Sequence, residues 1–302
     1  MDRTRDNPFL QTLRPVTHDL GGFKVHRTLP HRERTAVGPF LFFDHFGPAA
    51  LPPGEGMDVR PHPHINLATV TYLFDGAIDH RDSLGTHQRI EPGAVNLMTA
   101  GRGITHSERS PGDARARGPR FFGIQTWLGL PQAKEETDPA FEHVGKDDLP
   151  VVADDGARAR VVMGKLWGAA SPVTCHSHSI YADIALDAGA SIAIDPEAEE
   201  RALYPVEGAL SLDGTALESG TLYVLRPGVP ATLKASEASR AMLCGGAPLD
   251  GPRHVWWNFV SSRRARIEQA REDWEQMRFA LPPGDSEEFI PLPDRPKTVS
   301  YP

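Results

Sequence analysis

Cysteine is nearly absent from this chain, which has only Cys175 and Cys244 among its 302 residues. Their spacing matches no metal-binding or redox motif, as is typical of proteins from a reducing compartment that lack structural disulfides. No apolar run approaches the ~20 residues that a transmembrane helix needs. The charged opening MDRTRDNPFL also lacks the apolar segment of a secretory signal. We therefore expect a cytoplasmic protein that does not enter a membrane.

Basic residues are also fewer than acidic residues. The chain has 32 lysines and arginines against 40 aspartates and glutamates, for a formal net charge of -8. Surfaces that bind nucleic acid neutralise phosphates with basic side chains, so the charge balance argues against direct nucleic-acid binding. Glycine and proline, in contrast, are abundant, with 28 residues of each. This composition is typical of a turn-rich protein made mostly of short β-strands.

The order of residues supports an all-β fold. Runs of β-branched and aromatic residues alternate with Gly, Pro, Asp or Asn clusters, a pattern typical of successive strands. The clearest predicted strands are residues 68–74, 94–98, 121–128, 181–186 and 221–225. A helical pattern is clear only from about Ser261 to Phe279. Ser261 or Ser262 is its predicted N-cap, and the prolines after Leu281 end it.

The chain also contains a weak internal repeat. The segment YLFDGAI at 72–78 recurs as YPVEGAL at 204–210, and EPG at 91–93 recurs as ESG at 218–220. Chance similarity among glycine-rich β segments is one explanation. Two β-barrels of one kind, arranged in tandem, explain both the order and most of the spacings.

Histidines and a carboxylate form two pairs with the same spacing. His62 and His64 stand at i and i+2, as do His106 and Glu108. Because residues i and i+2 of a strand share one face, two such strands can bring three imidazoles and one carboxylate together. That donor set suits a first-row divalent metal such as Fe(II), Mn, Ni or Zn. Four protein ligands around an octahedral metal leave positions open, which favours a catalytic or sensing centre.

A simpler interpretation also exists for these histidines. A His-x-His pair is often surface decoration, and Pro61 and Pro63 are compatible with a loop. His80 and His87 are assigned to a polar turn, where His80 has at most a supporting role.

The second copy of the repeat has no comparable donor set. It places apolar residues at the ligand positions: Ile194, Pro196 and Ala231 or Leu233. A second His-x-His pair, His176 and His178 beside Cys175, falls outside those positions and is interpreted as strand-edge residues. We therefore expect one metal per chain.

The first histidine pair resembles the first motif of the cupin superfamily. His62, His64 and Gly76 match that motif, whereas Thr69 or Ala68 stands in place of its glutamate. The second motif is also altered. Four residues rather than the usual two separate Gly101 from His106. The carboxylate of the motif, Glu108, lies correspondingly later in the sequence than usual.

These departures are similar to those of the pirin family. The stretches RPHPH, ATVTYLFDGAIDHRDSLG, MTAGRGITHSE and VWWNFVSS carry the resemblance, which covers nearly the whole chain. It implies an all-β bicupin, two cupin-type barrels in tandem with a C-terminal α-helix. We place the metal-binding barrel at 1–135 and the metal-free barrel, with the helix and tail, at 136–302. The resemblance further implies that one iron is bound by His62, His64, His106 and Glu108.

Two functional hypotheses follow from this resemblance. The first is an iron-dependent dioxygenase that opens a flavonol such as quercetin, or a related enolisable aromatic, with O2. Glu108 would then act as the general base that takes the substrate's hydroxyl proton. The alternative is a non-enzymatic redox sensor and transcriptional co-regulator whose iron alters a surface that docks a regulatory protein. In either case protons compete with the metal, so affinity is expected to fall near pH ~6.5.

Overall fold

In the computed structural model, residues 8–19, 24–294 and 298–301 are described. The chain forms two compact units, each containing a β-barrel. The first barrel comprises the described residues among 18–25, 43–146 and 249–302, and the second comprises those among 1–17, 26–42 and 147–248.

The strands up to residue 146 are β1 Phe9–Leu13, β2 Val16–Asp19, β3 Lys24–Leu29, β4 Phe40–Ala50, β5 Asp58–His64, β6 Leu67–Gly76, β7 Ile78–Asp82, β8 His87–Ile90, β9 Val95–Thr99, β10 Ile104–Arg109, β11 Arg120–Gly129 and β12 Ala140–Val144. A short helix, α1, spans Gly112–Arg117, and a 3₁₀ turn spans Gln132–Lys134.

The later strands are β13 Val151–Asp154, β14 Ala157–Met163, β15 Lys165–Leu166, β16 Ala169–Ala170, β17 Ser179–Leu186, β18 Ser191–Ile194, β19 Glu200–Glu207, β20 Leu210–Leu212, β21 Thr215–Ala216, β22 Leu222–Leu225, β23 Ala231–Ala235, β24 Ser239–Gly246, β25 Arg253–Trp256, β26 Phe259–Ser261 and β27 Thr298–Tyr301. Helix α2 spans Arg264–Glu275.

Two sheets carry the residues of the first barrel. One has the strand order β12-β9-β6-β11-β4-β3-β2, and the other has the order β5-β10-β7-β8. Strand β6 lies between β9 and β11 and is buried along most of its length, which explains its nearly continuous apolar and β-branched sequence. It ends at Gly76, where φ is +89° and an added Cβ would lie 1.9 Å from the carbonyl oxygen of Arg120. Only glycine fits this turn.

The second barrel repeats this arrangement. Its sheets have the orders β1-β22-β19-β24-β17-β14-β13 and β18-β23-β20-β21. Strand β19 lies between β22 and β24, as β6 lies between β9 and β11, and it is followed by Gly208 at φ +85°. In both barrels, the equivalent strand is therefore followed by a glycine turn of the same conformation. The predicted all-β bicupin fold with a C-terminal helix is confirmed, and all five clearest predicted strands lie in or overlap observed ones.

The C-terminal segment differs from its sequence-based assignment. Residues 249–302 group with the first barrel, whereas a contiguous division at residue 135 places them with the second. The physical reason is the apolar face of α2, where Ile267, Ala270 and Trp274 pack in one cluster with Ile65 and Phe259. The apolar face of the C-terminal helix thus packs against Ile65, a core residue from the N-terminal half of the chain.

Helix α2 is also shorter than the predicted span of 261–279, and neither predicted serine caps it. The Oγ of Ser261 accepts a hydrogen bond from the backbone of Arg263, and the Oγ of Ser262 donates to Glu135. Both hydroxyls therefore have other partners. In the described ranges, no helix combines the length and apolar character needed to cross a bilayer.

Candidate metal centre

Three buried histidines meet in the first barrel. His62 and His64 end β5, and His106 lies on the antiparallel strand β10, directly opposite His62. One ring nitrogen from each lies within 4.8 Å of the others. Among the described residues, this is the one group of His, Cys, Asp or Glu side chains arranged closely enough to share a metal ion.

The i, i+2 spacing produces this arrangement as predicted. The sequence DVRPHPH forms an edge strand rather than a loop, and an edge strand tolerates proline because its outer N–H groups need no partner. The ring centroids of His62 and His64 are 5.0 Å apart, and each is within 5.0 Å of the centroid of His106. The alternative of surface decoration does not hold, because all three side chains are buried.

Hydrogen bonds fix the protonation of two of these rings. The Nδ1 of His62 lies 2.9 Å from the carbonyl oxygen of Arg60, and the Nδ1 of His64 lies 3.2 Å from that of Asn258. A carbonyl oxygen only accepts, so each Nδ1 carries the hydrogen of a neutral ring. Each Nε2 therefore keeps its lone pair for a metal, an arrangement typical of metal-bound histidine.

The ring of His106 is oriented by a hydrogen bond to a fourth histidine, His80. The Nδ1 of His106 lies 3.5 Å from the Nδ1 of His80, whose Nε2 lies 3.2 Å from Oδ2 of Asp82. Because a carboxylate accepts, His80 donates from Nε2 and accepts at Nδ1 from His106. His80 is therefore a buried residue of β7 that supports the centre, and its assignment to a polar turn was wrong.

The remaining nitrogen of His106 provides a test of metal binding. Its Nε2 is buried and has no hydrogen-bond partner within the described part of the chain. A buried polar atom without a partner costs about 1–3 kcal/mol, and a metal ion would satisfy this one. Three neutral imidazole nitrogens also form a donor set that suits first-row divalent metals. The three-histidine site can therefore bind a metal.

Burial sets the charge state of the centre. It lowers the pKa of His62 to about 4. Burial, reinforced by the neighbouring histidines, also holds the pKa values of His64 and His106 well below the ordinary value. The rings are therefore neutral at pH 7, as metal binding requires. Proton competition at these ligands is moved below the pH of ~6.5 expected for ordinary histidine.

Glu108 lies beside this group but is held by other partners. Its Oε1 accepts hydrogen bonds from Nε2 of Gln125 at 2.7 Å and from Oγ1 of Thr71 at 3.5 Å. Burial raises the pKa of Glu108, although His80, Gln125 and Thr71 oppose this shift. The close group of ligand atoms contains the three histidines without Glu108. Its assignment as the fourth ligand stays a prediction.

The second barrel has an apolar pair at the corresponding place. Ile194 on β18 lies directly opposite Ala231 on β23, as His62 lies opposite His106. Both residues belong to the buried apolar core of this barrel, together with Leu233. His176 and His178 lie in the irregular segment before β17, rather than at a strand edge.

A bicupin with a buried three-histidine centre in its first barrel is the class of protein that this fold and site define. The chain belongs to the pirin family, because the Pirin family model matches residues 22–128 and the model of the Pirin C-terminal cupin domain matches residues 181–280.

Individual relatives cover nearly the whole chain. A pirin-like protein of Caulobacter vibrioides is 48% identical over 91% of this chain and 96% of its own. A Pseudomonas aeruginosa protein named "Putative quercetin 2,3-dioxygenase" is 38% identical over 85% of this chain and 80% of its own. The crystal structure of a quercetin 2,3-dioxygenase from Acinetobacter baumannii aligns with a TM-score of 0.88 and 34% identity, covering 97% of this chain and 99% of that one.

Proposed function

We propose that this protein is a metal-dependent dioxygenase that opens a flavonol, or a related enolisable aromatic, with O2. The observation that carries the proposal is a buried carboxylate, Glu108, beside three neutral histidines with metal-binding lone pairs. The names of the Pseudomonas and Acinetobacter relatives support the same reaction.

The residues proposed to hold the metal are His62, His64 and His106, with Glu108 as a fourth ligand. Fe(II) is the proposed ion, and Mn, Ni and Zn suit the same donors. When bound, the metal supplies a Lewis acid that stabilises the enolate form of a substrate with adjacent hydroxyl and carbonyl oxygens.

Glu108 is the proposed general base. Both hydrogen bonds that Gln125 and Thr71 donate to its carboxylate fall on Oε1, so Oε2 is the oxygen that would bind the metal or, when swung off it, take the substrate's hydroxyl proton. Burial raises the pKa of Glu108 towards the working pH, which improves its match to a hydroxyl proton. Gln125 and Thr71 would hold the carboxylate in place during this transfer.

We place the access route of the substrate at the face of β11 that carries Gln125 and Trp127. Gln125 and Trp127 are both half-buried, and their i, i+2 spacing places them on one face of the strand. Gln125 binds Glu108, and the ring of Trp127 lies 5.1 Å from that of His64. Phe141, stacked on His80 at 4.6 Å, adds a second aromatic ring beside the centre. A planar aromatic substrate matches these surroundings.

Oxygen uptake with quercetin tests the proposal. We expect the Fe(II)-loaded protein to consume O2, and Glu108→Gln to lower turnover by ~10²–10⁴-fold because it removes the base. Glu91→Gln, which changes an exposed carboxylate of the same barrel, is the control and should leave turnover unchanged.

One result would refute the proposal. A fully metal-loaded protein that consumes no O2 with any flavonol or other enolisable aromatic in a panel cannot be this enzyme. Capture of a regulatory protein that depends on the redox state of the iron, without turnover, would then favour the sensor.

A further inference from the structure

The acceptor for His64 comes from the far end of the chain. Asn258, whose carbonyl oxygen accepts the Nδ1 hydrogen, lies 194 residues after His64, in the two-residue turn between β25 and β26. The orientation of one proposed metal ligand therefore depends on where this hairpin lies relative to β5.

A buried ion pair ties the base of the hairpin to the 131–136 segment. The Nε of Arg253 lies 3.0 Å from Oε1 of Glu135, and both side chains are almost fully buried. The backbone N–H and the hydroxyl of Ser262 also donate to the Glu135 carboxylate, each at 2.8 Å. Glu135 therefore binds the start of the hairpin and the residue just after its end.

The backbone near Glu135 is tied in turn to the strand that carries His64. The Nδ2 of Asn66 donates to the carbonyl oxygen of Glu135 at 2.5 Å, and the N–H of Leu130 donates to the carbonyl oxygen of Asn66 at 3.2 Å. Arg253 donates to the carbonyl oxygen of Leu130 at 2.7 Å. The segment from 130 to 135 therefore bridges the end of β5 and the hairpin.

An apolar contact supports the same junction from another side. Ile65, next to His64, forms a parallel β-bridge with Phe259, and both residues are fully buried in the cluster that includes Trp274. The apolar contact supplies stability, whereas the directional polar contacts set the register.

The turn itself is held in a strained conformation. Trp257 has φ +54°, a region that favours glycine and is uncommon for a bulky residue. Its ring packs against those of Trp256, Phe259 and Trp274, which hold the turn in place. Strain that the surrounding packing maintains is found mostly at functional sites.

We propose that Glu135 and Arg253 are positioning residues of the metal centre. Their ion pair fixes the hairpin against β5, so that Asn258 keeps its carbonyl oxygen on Nδ1 of His64 and Nε2 stays directed at the metal. The inference rests on the proposed metal centre but requires no dioxygenase activity.

The test compares the buried Glu135–Arg253 pair with a second ion pair, of which only the carboxylate is buried, in the full-length, metal-free protein. Glu135→Gln removes one of the two carboxylates that pair with Arg253, the other being Asp250, and we expect Ni(II) affinity, measured by calorimetry, to fall about 10- to 100-fold. The control is Asp183→Asn in the second barrel, where Asp183 forms a bidentate pair with Arg240 at 2.7 and 2.6 Å. It should change Ni(II) affinity less than about twofold, since it breaks an ion pair in the barrel without these histidines.

Imidazole ¹⁵N NMR of His64 provides a second readout that general destabilisation would not move. The wild type should show the Nδ1–H tautomer, and Glu135→Gln should show a mixture of tautomers. If Glu135→Gln does not fold, Ser262→Ala replaces it. This variant removes one hydroxyl donor to Glu135, and we expect a three- to tenfold loss of affinity, about the effect of one net hydrogen bond.

Wild-type Ni(II) affinity together with an unchanged His64 tautomer, in either variant, would overturn the inference. A comparable loss of affinity in Asp183→Asn would also overturn it. Failure of the proposed function looks different, because a wild type that binds Ni(II) but turns over no flavonol leaves both results intact. If the wild type binds no Ni(II), the tautomer comparison still decides.

Discussion

Each histidine of the centre is held at Nδ1, and the three acceptors come from very different distances along the chain. The acceptor for His62 is two residues away, that for His106 is 26 residues away, and that for His64 is 194 residues away. All three arrangements leave the same atom, Nε2, for a metal. The result is a centre whose three histidines are neutral and oriented by the protein alone.

The lowered pKa values predict how stability depends on pH. Folded His62 has a pKa of about 4, whereas the unfolded chain has the ordinary value of ~6.5. As the pH falls from 6.5 towards 4, the unfolded state binds protons that the folded state excludes. The free energy of unfolding of the metal-free protein should therefore decrease, by up to ~1.4 kcal/mol per pH unit for each such histidine.

Urea unfolding of metal-free protein at pH 7.5, 6 and 5 measures this effect. His62→Gln should reduce the slope of the unfolding free energy with pH relative to the wild type. An identical slope in wild type and His62→Gln would show that His62 titrates normally in the folded protein.

Among the elements, the turn after β6 gives a sharp prediction. Gly76 and Gly85 have nearly the same φ, +89° and +90°, but an added Cβ meets the Arg120 carbonyl oxygen at 1.9 Å in the first case and nothing within 4 Å in the second. Gly85→Ala should therefore cost about 1 kcal/mol from the backbone alone. Gly76→Ala should cost about 2 kcal/mol more, because the β6–β11 pairing must shift.

Thermal or urea unfolding of the two variants measures the difference. Equal losses in the two variants would mean that the turn relaxes without disturbing β11.

The strands and turns of the site also show which of its features could be predicted from the sequence. The strand carrying His62 and His64 was predictable because period-2 spacing is local, and so was the pairing with the strand of His106. The sequence allowed His80 a supporting role at most, and its place on a buried strand was missed, although its i, i+2 spacing from Asp82 is the same kind of signal. Glu135 and Asn258 have no such signal, because their roles depend on tertiary contacts between distant segments.

At the scale of the whole molecule, the two barrels predict a stoichiometry of one metal per chain. Ile194 and Ala231 lack lone pairs, and they occupy the second barrel's equivalent of the His62–His106 pair. Emission spectroscopy should find about one metal per wild-type chain and almost none in His62→Ala/His106→Ala. A second equivalent that survives the double substitution would contradict this and would make Cys175, His176 and His178 the candidate ligands.

The division of the chain could be predicted only in part. The repeat between YLFDGAI and YPVEGAL identifies two barrels, and the matching turns at Gly76 and Gly208 confirm their equivalence. The contiguous division at residue 135 places the helix with the second half. Its apolar face instead packs beside Ile65, and no local pattern in α2 indicates this partner.

The return of the C-terminal hairpin to His64 also sets an order in time during protein synthesis. At about 5–20 residues per second, the ribosome needs roughly 10–40 s to add the 194 residues that separate His64 from Asn258. The three histidines are all made early in that interval, yet one still lacks the hydrogen-bond acceptor that orients it. We therefore expect a chain that still lacks Asn258 to bind the proposed metal more weakly than the full-length protein does.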